Sequence, residues 1–302
     1  MTFPWPDGCR AAASFTFDVD AESCVLAHDP SAASRMSLMS HQAYGPRVGV
    51  PRLLRMLRRQ DVRATFFVPG FTADTYPDMV RAIVDDGHEI AHHGYLHEQT
   101  RGMDARTEAQ AIDRGLAALE RLGVRPTGYR APWWEMNWHT PRLLIERGFR
   151  YDSSLLDDDV PYRLRGEEGE GGGASLVEIP VHWGLDDWEQ YAFYPGWTGS
   201  GVIESPRKAC GMWRDEAAAY HAEGGCFVLT SHPFLSGRPS RSAALEGLIE
   251  AVRGMAGMWV TTLAEIAEHT ERVVNEVRTV RRIDAPDLPR DGERRADAGL
   301  VG

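Results

Sequence analysis

The chain contains 302 residues, of which 43% are hydrophobic and 25% are charged, and it carries a formal net charge of −11. This length suits one large α/β domain with a sizeable core or two small domains, and the composition is that of an ordinary globular protein. The negative charge argues against a nucleic-acid backbone or an anionic membrane as a partner, and leaves neutral or cationic small molecules open.

In chain order, the first predicted element is a buried strand over residues 11–20, which begins apolar and ends in two acidic residues. Residues 21–45 show no clear periodicity and are expected to form a long loop. Apolar residues at helical spacing predict a helix over 50–60. Residues 64–68 predict a strand that is closed by Pro and Gly.

The alternation of strand and helix continues through the rest of the chain. Apolar spacing, Gly stops and capping residues predict helices over 76–86, 104–122 and 140–148, after Ser205, and after Thr262. Strands are predicted over 87–91, 127–132, 176–181 and 226–231. Residues 157–175 are acidic and then Gly-rich and are expected to form a surface loop, and the charged tail after about residue 283 is expected to fray.

At least six alternations are typical of a parallel α/β barrel or a doubly wound sheet in a single domain. The sequence contains no G-x-G-x-x-G or P-loop motif, which argues against a nucleotide cofactor. It also lacks a signal-peptide pattern and any apolar stretch long enough to span a bilayer, so we expect a cytoplasmic enzyme. Four cysteines without C-x-x-C spacing predict buried or free thiols: Cys9, Cys24, Cys210 and Cys226.

A His-rich stretch follows the predicted strand at 87–91. Within it His93 and His97 are four residues apart, so a helical turn would direct both imidazoles to one point. Imidazole is the commonest ligand for zinc-like metals, and such sites usually add a carboxylate. A polar loop that is rich in His by chance explains the stretch about as well, because this spacing alone is a weak signal.

Other candidate ligands and catalysts also fall at the ends of predicted strands. Asp18 and Asp20 close the first strand and lie on one face if the strand persists, while Arg130 and His232 each follow a later strand. In a parallel barrel these strand ends meet at one rim. Singly, each residue has an ordinary structural explanation as a turn residue, a surface ion pair or a core imidazole. Together they favour an active site.

Five short segments follow one another in order: Thr-Phe-Asp-Val-Asp at 16–20, His-Gly-Tyr-Leu-His at 93–97, Arg-Ala-Pro-Trp-Trp at 130–134, Tyr-Asp-Ser-Ser-Leu at 151–155 and Leu-Thr-Ser-His-Pro at 229–233. This set resembles the motifs of the polysaccharide deacetylase (NodB-like) family of carbohydrate esterases over about residues 10–270. The most similar branch contains intracellular peptidoglycan-deacetylase-like proteins and borders the allantoinases and cyclic imidases. The resemblance implies a distorted seven-stranded (β/α) barrel that hydrolyses an N-acyl bond with a divalent metal.

By this resemblance, Asp20, His93 and His97 would bind the metal and leave coordination positions open for water and the substrate carbonyl. Zinc is the first expectation, although two His and one Asp also suit cobalt, nickel, iron or manganese. The metal would lower the pKa of its water to about 7 and polarise the carbonyl.

The resemblance also assigns the acid–base roles. Asp18 would be the general base, Arg130 would orient it, and His232 would be the general acid that protonates the departing amine. Asp152 would either orient His232 or only hold its own loop, and the sequence favours neither alternative.

Two positions depart from the usual pattern of the family. Val19 separates two aspartates that are usually adjacent, which leaves open which of Asp18 and Asp20 is the base and which is the ligand. Gly94 stands where Ser or Thr is commoner, as in a branch that includes metal-independent relatives. Because His97 is retained, we expect a metal.

Several tryptophans are candidates for substrate contact. Trp133, Trp134 and Trp183 would form walls of the pocket, although core packing is the commoner role of a Trp. Residues 184–200 would partly close the pocket and favour a compact substrate over a polymer. Analogy with the same branch suggests a homo-oligomer.

The leading hypothesis is a metal-dependent amidohydrolase that removes an acetyl group from an N-acetylated amino sugar or a similar small amide. The alternative is a cyclic-imide or ureide hydrolase with the same metal and base, which would open a ring and release no acetate. A non-catalytic binding protein is the third possibility. The presence of Asp18 and His232 beside the three ligands argues against it, because a binding protein needs neither a base nor an acid.

Overall fold

The computed structural model describes residues 3–166, 174–194 and 203–282 of the chain. The strands are β1 (Ala11–Asp18), β2 (Thr65–Val68), β3 (Glu89–His92), β4 (Gly128–Tyr129), β5 (Tyr151–Asp152), β6 (Tyr162–Arg165), β7 (Leu176–Glu178), β8 (Cys226–Ser231), β9 (Met258–Val260) and β10 (Val277–Thr279). The α-helices are α1 (Ser23–His28), α2 (Met36–Tyr44), α3 (Val50–Gln60), α4 (Gly70–Thr75), α5 (Pro77–Asp85), α6 (Ala105–Glu120), α7 (Thr140–Glu146), α8 (Trp188–Tyr191), α9 (Pro206–Glu223), α10 (Pro233–Ser236), α11 (Pro239–Arg253) and α12 (Leu263–Val273).

Short irregular helices complete the description. Three 3-10 segments cover Pro30–Ser34, Pro132–Trp134 and Trp183–Leu185, and a π-helical turn covers Gly45–Gly49. Within the three described ranges, no helix is long and apolar enough to cross a membrane.

Seven parallel strands form a distorted barrel. They are hydrogen-bonded in the order β7, β5, β4, β3, β2, β1, β8. A parallel bridge between Asp186, in the chain that follows β7, and Thr230 of β8 links the two ends of this row. Strand β6 runs antiparallel to β7, β10 pairs with β6, and β9 pairs with the start of β1. The expected seven-stranded (β/α) barrel is confirmed.

Strand β1 shows how the barrel separates its two faces. Ala13, Phe15 and Phe17 belong to the core that packs against the outer helices, because alternate residues of a strand point to opposite faces. Ala12 belongs to a second core that also contains Phe67 of β2, Ala91 of β3 and Val177 of β7. Thr16 and Asp18 follow the alternation of Ala12 and therefore point into the barrel, although all eight residues of the strand are buried.

Most of the predicted elements are present. The helices predicted over 50–60, 76–86 and 104–122 correspond to α3, α5 and α6, and the strand predicted over 226–231 corresponds to β8. The Thr262 hydroxyl accepts a hydrogen bond from the backbone N–H of Glu265, which confirms the predicted cap of the last helix.

Three expectations are wrong. Residues 21–45 contain helices α1 and α2, which show little apolar periodicity because they are short and their buried residues are partly polar. Residues 157–175 include strand β6, although 167–173 lie outside the described residues. The strands predicted over 127–132 and 176–181 end early, at Tyr129 and Glu178. The predicted tail after residue 283 also lies outside the described residues.

Candidate active site

The two aspartates of the first strand reach the same cavity by different routes. Asp18 is the last residue of β1 and points into the barrel, whereas Asp20 lies beyond the end of the strand. The carbonyl of Asp20 accepts hydrogen bonds from the Ser23 hydroxyl at 2.6 Å and the Thr72 hydroxyl at 2.8 Å. These bonds fix the turn after β1, so the two carboxylates face one cavity without an extended strand between them.

Asp20, His93 and His97 form a compact group of possible metal ligands. Nε2 of His93 lies 3.5 Å from Oδ1 of Asp20, and Nε2 of His97 lies 3.6 Å from Oδ2. One ligand atom from each of the three residues falls within 4.8 Å of the other two, and all three side chains are buried. The structure therefore brings together the three residues that the resemblance assigns to the metal.

The predicted helical turn between the two histidines is wrong. Gly94 and His97 both have positive φ, at 70° and 58°, so the chain makes an irregular loop. The Glu98 carboxylate holds this loop by accepting hydrogen bonds from the backbone N–H groups of Tyr95 and Leu96 at 3.0 and 2.9 Å. A Cβ at Gly94 would lie 2.9 Å from Oε2 of Glu98, which explains a glycine where Ser or Thr is commoner in the family.

The electrostatics of the trio suit a divalent cation. Burial lowers the pKa of His93 to about 3 and that of His97 well below its usual range, so both imidazoles are neutral, as metal ligands must be. Nδ1 of His93 donates to the carbonyl of Arg130 at 2.8 Å, which leaves the Nε2 lone pair facing Asp20. Oδ1 of Asp20 is buried and has no hydrogen-bond donor among the described residues. The donor set therefore fits a divalent metal.

Asp18 is held by a buried ion pair. One guanidinium nitrogen of Arg130 donates to Oδ1 of Asp18 at 2.8 Å and to the Thr16 hydroxyl at 2.9 Å, and both charged side chains are buried. The Nε of Arg130 donates to the carbonyl of Ser153 at 3.0 Å. Oδ2 of Asp18 faces His93 at 3.8 Å. The pairing places the Asp18 carboxyl group, with its orientation fixed, beside the trio.

His232 is held by carboxylates that the sequence analysis missed. Oδ1 of Asp187 accepts hydrogen bonds from Nδ1 of His232 at 2.7 Å and from its backbone N–H at 2.9 Å, and Oδ1 of Asp186 lies 3.5 Å from Nδ1. Burial alone lowers the pKa of His232, but Asp186, Asp187 and Asp20 outweigh burial and raise the pKa well above its usual range. Nε2 of His232 lies 3.6 Å from Oδ2 of Asp20 and so faces the trio.

Asp152 does not orient His232, so that alternative is wrong. It accepts a hydrogen bond from the Ser154 hydroxyl at 2.9 Å and lies opposite Glu178 on the neighbouring strand. The alternative role, in which Asp152 holds its own loop, agrees with these contacts.

One cavity of about 180 Å³ collects these groups. The three predicted tryptophans contribute to its walls, and the rings of Trp134 and Trp183 lie 4.4 Å apart between centroids. Trp188 and Glu189 were not predicted but also contribute. The complete lining is Asp18, Asp20, His93, His97, Trp133, Trp134, Trp183, Asp186, Trp188, Glu189 and His232. The predicted closing segment 184–200 thus contributes three residues, and 195–200 lie outside the described residues.

Comparison with known proteins gives consistent matches. A family model described as polysaccharide deacetylase matches residues 43–151. The peptidoglycan deacetylase of Helicobacter pylori is 33% identical over 252 residues, which are 76% of this chain and 86% of that protein.

Solved structures match over nearly the whole chain. A Mycobacterium smegmatis protein classed with the polysaccharide deacetylases is 54% identical, with a TM-score of 0.88 over 95% of this chain and 98% of that one. The structure of Puue allantoinase is 28% identical, with a TM-score of 0.75 over 89% of this chain and 93% of that one.

Proposed function

This chain belongs to the polysaccharide deacetylase family of enzymes that act on non-peptide carbon–nitrogen bonds, and from this premise we propose that it is a metal-dependent N-deacetylase of a compact N-acetylated amino sugar. One observation carries the proposal. A single small cavity is lined by the buried Asp20, His93 and His97 and, facing them, by a carboxylate and an imidazole that are each held by an oppositely charged partner.

The trio would hold the cation, with zinc as the first candidate among the divalent metals that accept two imidazoles and one carboxylate. When bound, the cation supplies Lewis-acid polarisation of the acyl carbonyl and makes a water more acidic. Asp20 is better suited than Asp18 to this role, because Asp18 is already neutralised by Arg130 while Oδ1 of Asp20 has no donor among the described residues.

Asp18 is assigned the general base. Arg130 occupies Oδ1 of Asp18, so Oδ2, which faces His93 at 3.8 Å, is the oxygen available to take a proton from the attacking water. The buried guanidinium stabilises the orientation of this carboxyl group. In the part of the chain that the structure describes, no other carboxylate in the lining contacts an arginine in this way.

His232 is assigned the general acid. Its Nδ1–H is held by Asp187, so its Nε2, on the side of the trio, is the atom that gives a proton to the departing amine nitrogen. Asp187 fixes the ring and stabilises the imidazolium form, as a carboxylate does for the histidine of a hydrolytic triad. The acid His232 directly follows β8 and the base Asp18 ends β1, so the two groups reach the cavity from different strands.

The cavity lining supports a neutral and compact substrate. It contains four carboxylates and no Lys or Arg among the described residues, so an acyl amine with its own carboxylate would meet like charges and no guanidinium or ammonium partner. The indole faces provide apolar surface against which a sugar ring can stack. About 180 Å³ is less than the typical volume of a drug-sized site, which favours one sugar unit over an extended polymer segment.

The test is proton NMR on metal-loaded protein with a pool of N-acetylated amino sugars. We expect a growing acetate singlet that a chelator abolishes, and much slower turnover of N-acetylated amino acids, which are anionic. Asp18→Asn and His232→Ala are expected to lose turnover while each retains one equivalent of metal. Unchanged turnover in both variants would refute the acid–base assignment, whereas a wild type that binds the substrate without turning it over would favour a non-catalytic binding protein.

The second candidate is a cyclic-imide or ureide hydrolase, and the observation that favours it is the similarity to the Puue allantoinase structure. The same base and metal ligands would serve a ring amide, with ring opening and no acetate. A parallel cyclic-imide pool in the NMR assay separates the two. Ring opening without acetate from the first pool would replace the deacetylase proposal.

A further inference from the structure

Two buried carboxyl groups lie side by side beneath the active site. Asp152 ends β5 and Glu178 ends β7, and their Cα atoms are direct partners in the parallel pairing of these strands. Both side chains are fully buried. The mechanism above uses neither of them.

In each carboxyl group one oxygen accepts hydrogen bonds from neighbouring groups. The second oxygen of each group is left to interact with the other carboxyl group. Oδ1 of Asp152 accepts from the Ser154 hydroxyl, and Oε1 of Glu178 accepts from the backbone N–H groups of Ser154 and Leu155 at 3.1 and 2.9 Å. Oδ2 of Asp152 and Oε2 of Glu178 are buried and have no donor from any other described residue. Because paired residues of neighbouring strands place their side chains on the same face, these two oxygens without a donor belong to adjacent carboxyl groups.

Ionising both carboxyl groups of this buried pair costs a large free energy. Burial, and then the adjacent carboxylate, raises the pKa of Glu178 well above its usual range, and burial raises the pKa of Asp152 as well. The positive charge of Arg130 faces the pair and lowers the pKa of Asp152, in opposition to burial. Among the described residues, the other titratable groups that face it are phenols: Tyr129, Tyr151 and Tyr162.

The pair is connected to the catalytic arginine through two serines. The Ser154 hydroxyl, which donates to Asp152, accepts from the backbone N–H of Ala131 at 2.8 Å. The preceding residue, Ser153, accepts from Arg130 with both its carbonyl and its hydroxyl, at 3.0 and 3.1 Å. The carboxyl pair thus fixes residues 153–155, and these residues fix the guanidinium that holds Asp18.

We propose that Asp152 and Glu178 share one proton, carried by Glu178, and act as a positioning pair for Arg130. The functional half of this inference rests on the proposed role of Arg130 and Asp18 in amide hydrolysis. Neither carboxyl group lines the cavity, so neither touches substrate.

The shared proton is tested with Glu178→Gln, whose amide N–H replaces the proton and whose carbonyl keeps the acceptor for residues 154 and 155. The infrared difference spectrum of metal-loaded wild type minus E178Q at neutral pH is expected to contain the carbonyl band of one protonated carboxylic acid. Because a raised carboxyl pKa makes the folded state hold the extra proton, wild-type stability falls as pH rises. From about pH 6 to 8, each pH unit raises the unfolding equilibrium constant of both proteins by some factor. That factor should be about ten times larger for the wild type than for E178Q.

The positioning role is tested by comparing E178Q with Glu178→Met, which has similar length and no hydrogen-bonding group. We expect E178M to lower kcat about 100-fold with KM within about threefold, because a small displacement of Arg130 disturbs the base more than substrate binding. E178Q should restore most of the lost kcat. The Arg130 Nε–H resonance in NMR, assigned with Arg130→Lys, should shift or broaden in E178M and stay near its wild-type position in E178Q.

Each result has a contrary outcome. Without the carboxylic-acid band, and with equal pH slopes, the shared proton is refuted. An E178M protein that is less stable but has wild-type kcat and an unchanged Arg130 resonance would refute positioning. If E178M does not fold, Ser154→Ala removes the link to Ala131 and the same two readouts apply. If the wild type turns over no substrate, the proposed function fails, while the infrared and NMR results still decide this inference.

Discussion

Gly115 lies in the middle of α6, where alanine would normally be the better helix residue. Here a Cβ would overlap Nε2 of His92 and lie 2.6 Å from the carbonyl oxygen of Gly94. His92 cannot turn away, because its Nδ1 accepts from the backbone N–H of Gly94 at 3.1 Å and its Nε2 donates to the carbonyl of Ile112 at 3.0 Å. Gly115→Ala therefore presses the helix against the loop that carries His93.

Two effects of opposite sign determine the result. Replacing a helical Gly with Ala stabilises a protein by about 0.5–1 kcal/mol, whereas overpacking a rigid contact costs about 1–3 kcal/mol. For Gly115→Ala the overpacking wins, and we expect a loss of about 0.5–2 kcal/mol. Gly211 in α9 is the matched control, because a Cβ there has no atom within 4 Å. Gly211→Ala should gain about 0.5–1 kcal/mol.

Urea unfolding followed by Trp fluorescence measures both variants, and competition with a chromophoric chelator measures metal affinity. Because Gly94 directly follows His93, we expect Gly115→Ala to weaken metal binding about tenfold or more, as disturbed supports of metal ligands do. Gly211→Ala should leave metal affinity unchanged. If Gly115→Ala were as stabilising as the control, the close contact between α6 and the His93 loop would be refuted.

Further substitutions and a pH titration address the rest of the site and one buried histidine outside it. Asp187→Asn should lower kcat by about 10²–10⁴ with little change in the amount of bound metal, measured by steady-state kinetics and metal analysis, because His232 loses its buried charged partner. Trp183→Ala should raise KM with kcat nearly unchanged, and a fall in kcat alone would contradict its role as a wall. Asp20→Ala should abolish metal binding measured by calorimetry, and chelation should lower the Tm of the wild type but not that of this variant. Burial lowers the pKa of His88. The neutral His88 side chain therefore contributes fully to the free energy of unfolding above about pH 6.5, and this contribution is lost as the pH falls below that value. His88→Gln should weaken this pH dependence of unfolding.

The six residues proposed for the metal and for acid–base catalysis could be singled out from the sequence because each lies near the carboxyl end of a predicted strand or in the loop that follows it. Parallel strands bring their carboxyl ends to one rim, so a local pattern of strands is enough to predict that Asp18, His93 and Arg130 meet. The resemblance to a known family then implied which residues are metal ligands and which are acid–base groups. It left the division between Asp18 and Asp20 open, and the proposed division rests on the ion pair of Asp18 with Arg130.

Asp187 could not be predicted in the same way. It lies in irregular chain after β7 and contacts His232, 45 residues further along the chain. No periodicity marks such a residue. The only signal in the sequence is a pair of adjacent aspartates beside Trp188, which also suits an exposed turn.

The sequence by itself determined the alternation of strands and helices and the parallel α/β class, because these depend on short-range hydrophobic patterns, and its resemblance to a known family implied the barrel and the rim on which the chemistry lies. Only the tertiary structure decided how the side chains between the strands are held. The partner of His232 and the pairing of Asp152 with Glu178 depend on hydrogen bonds between distant segments, and the positive φ angles of Gly94 and His97 belong to a loop that no periodicity predicts. Those bonds form because buried polar groups must find partners, and which partner is within reach is fixed only when the barrel closes.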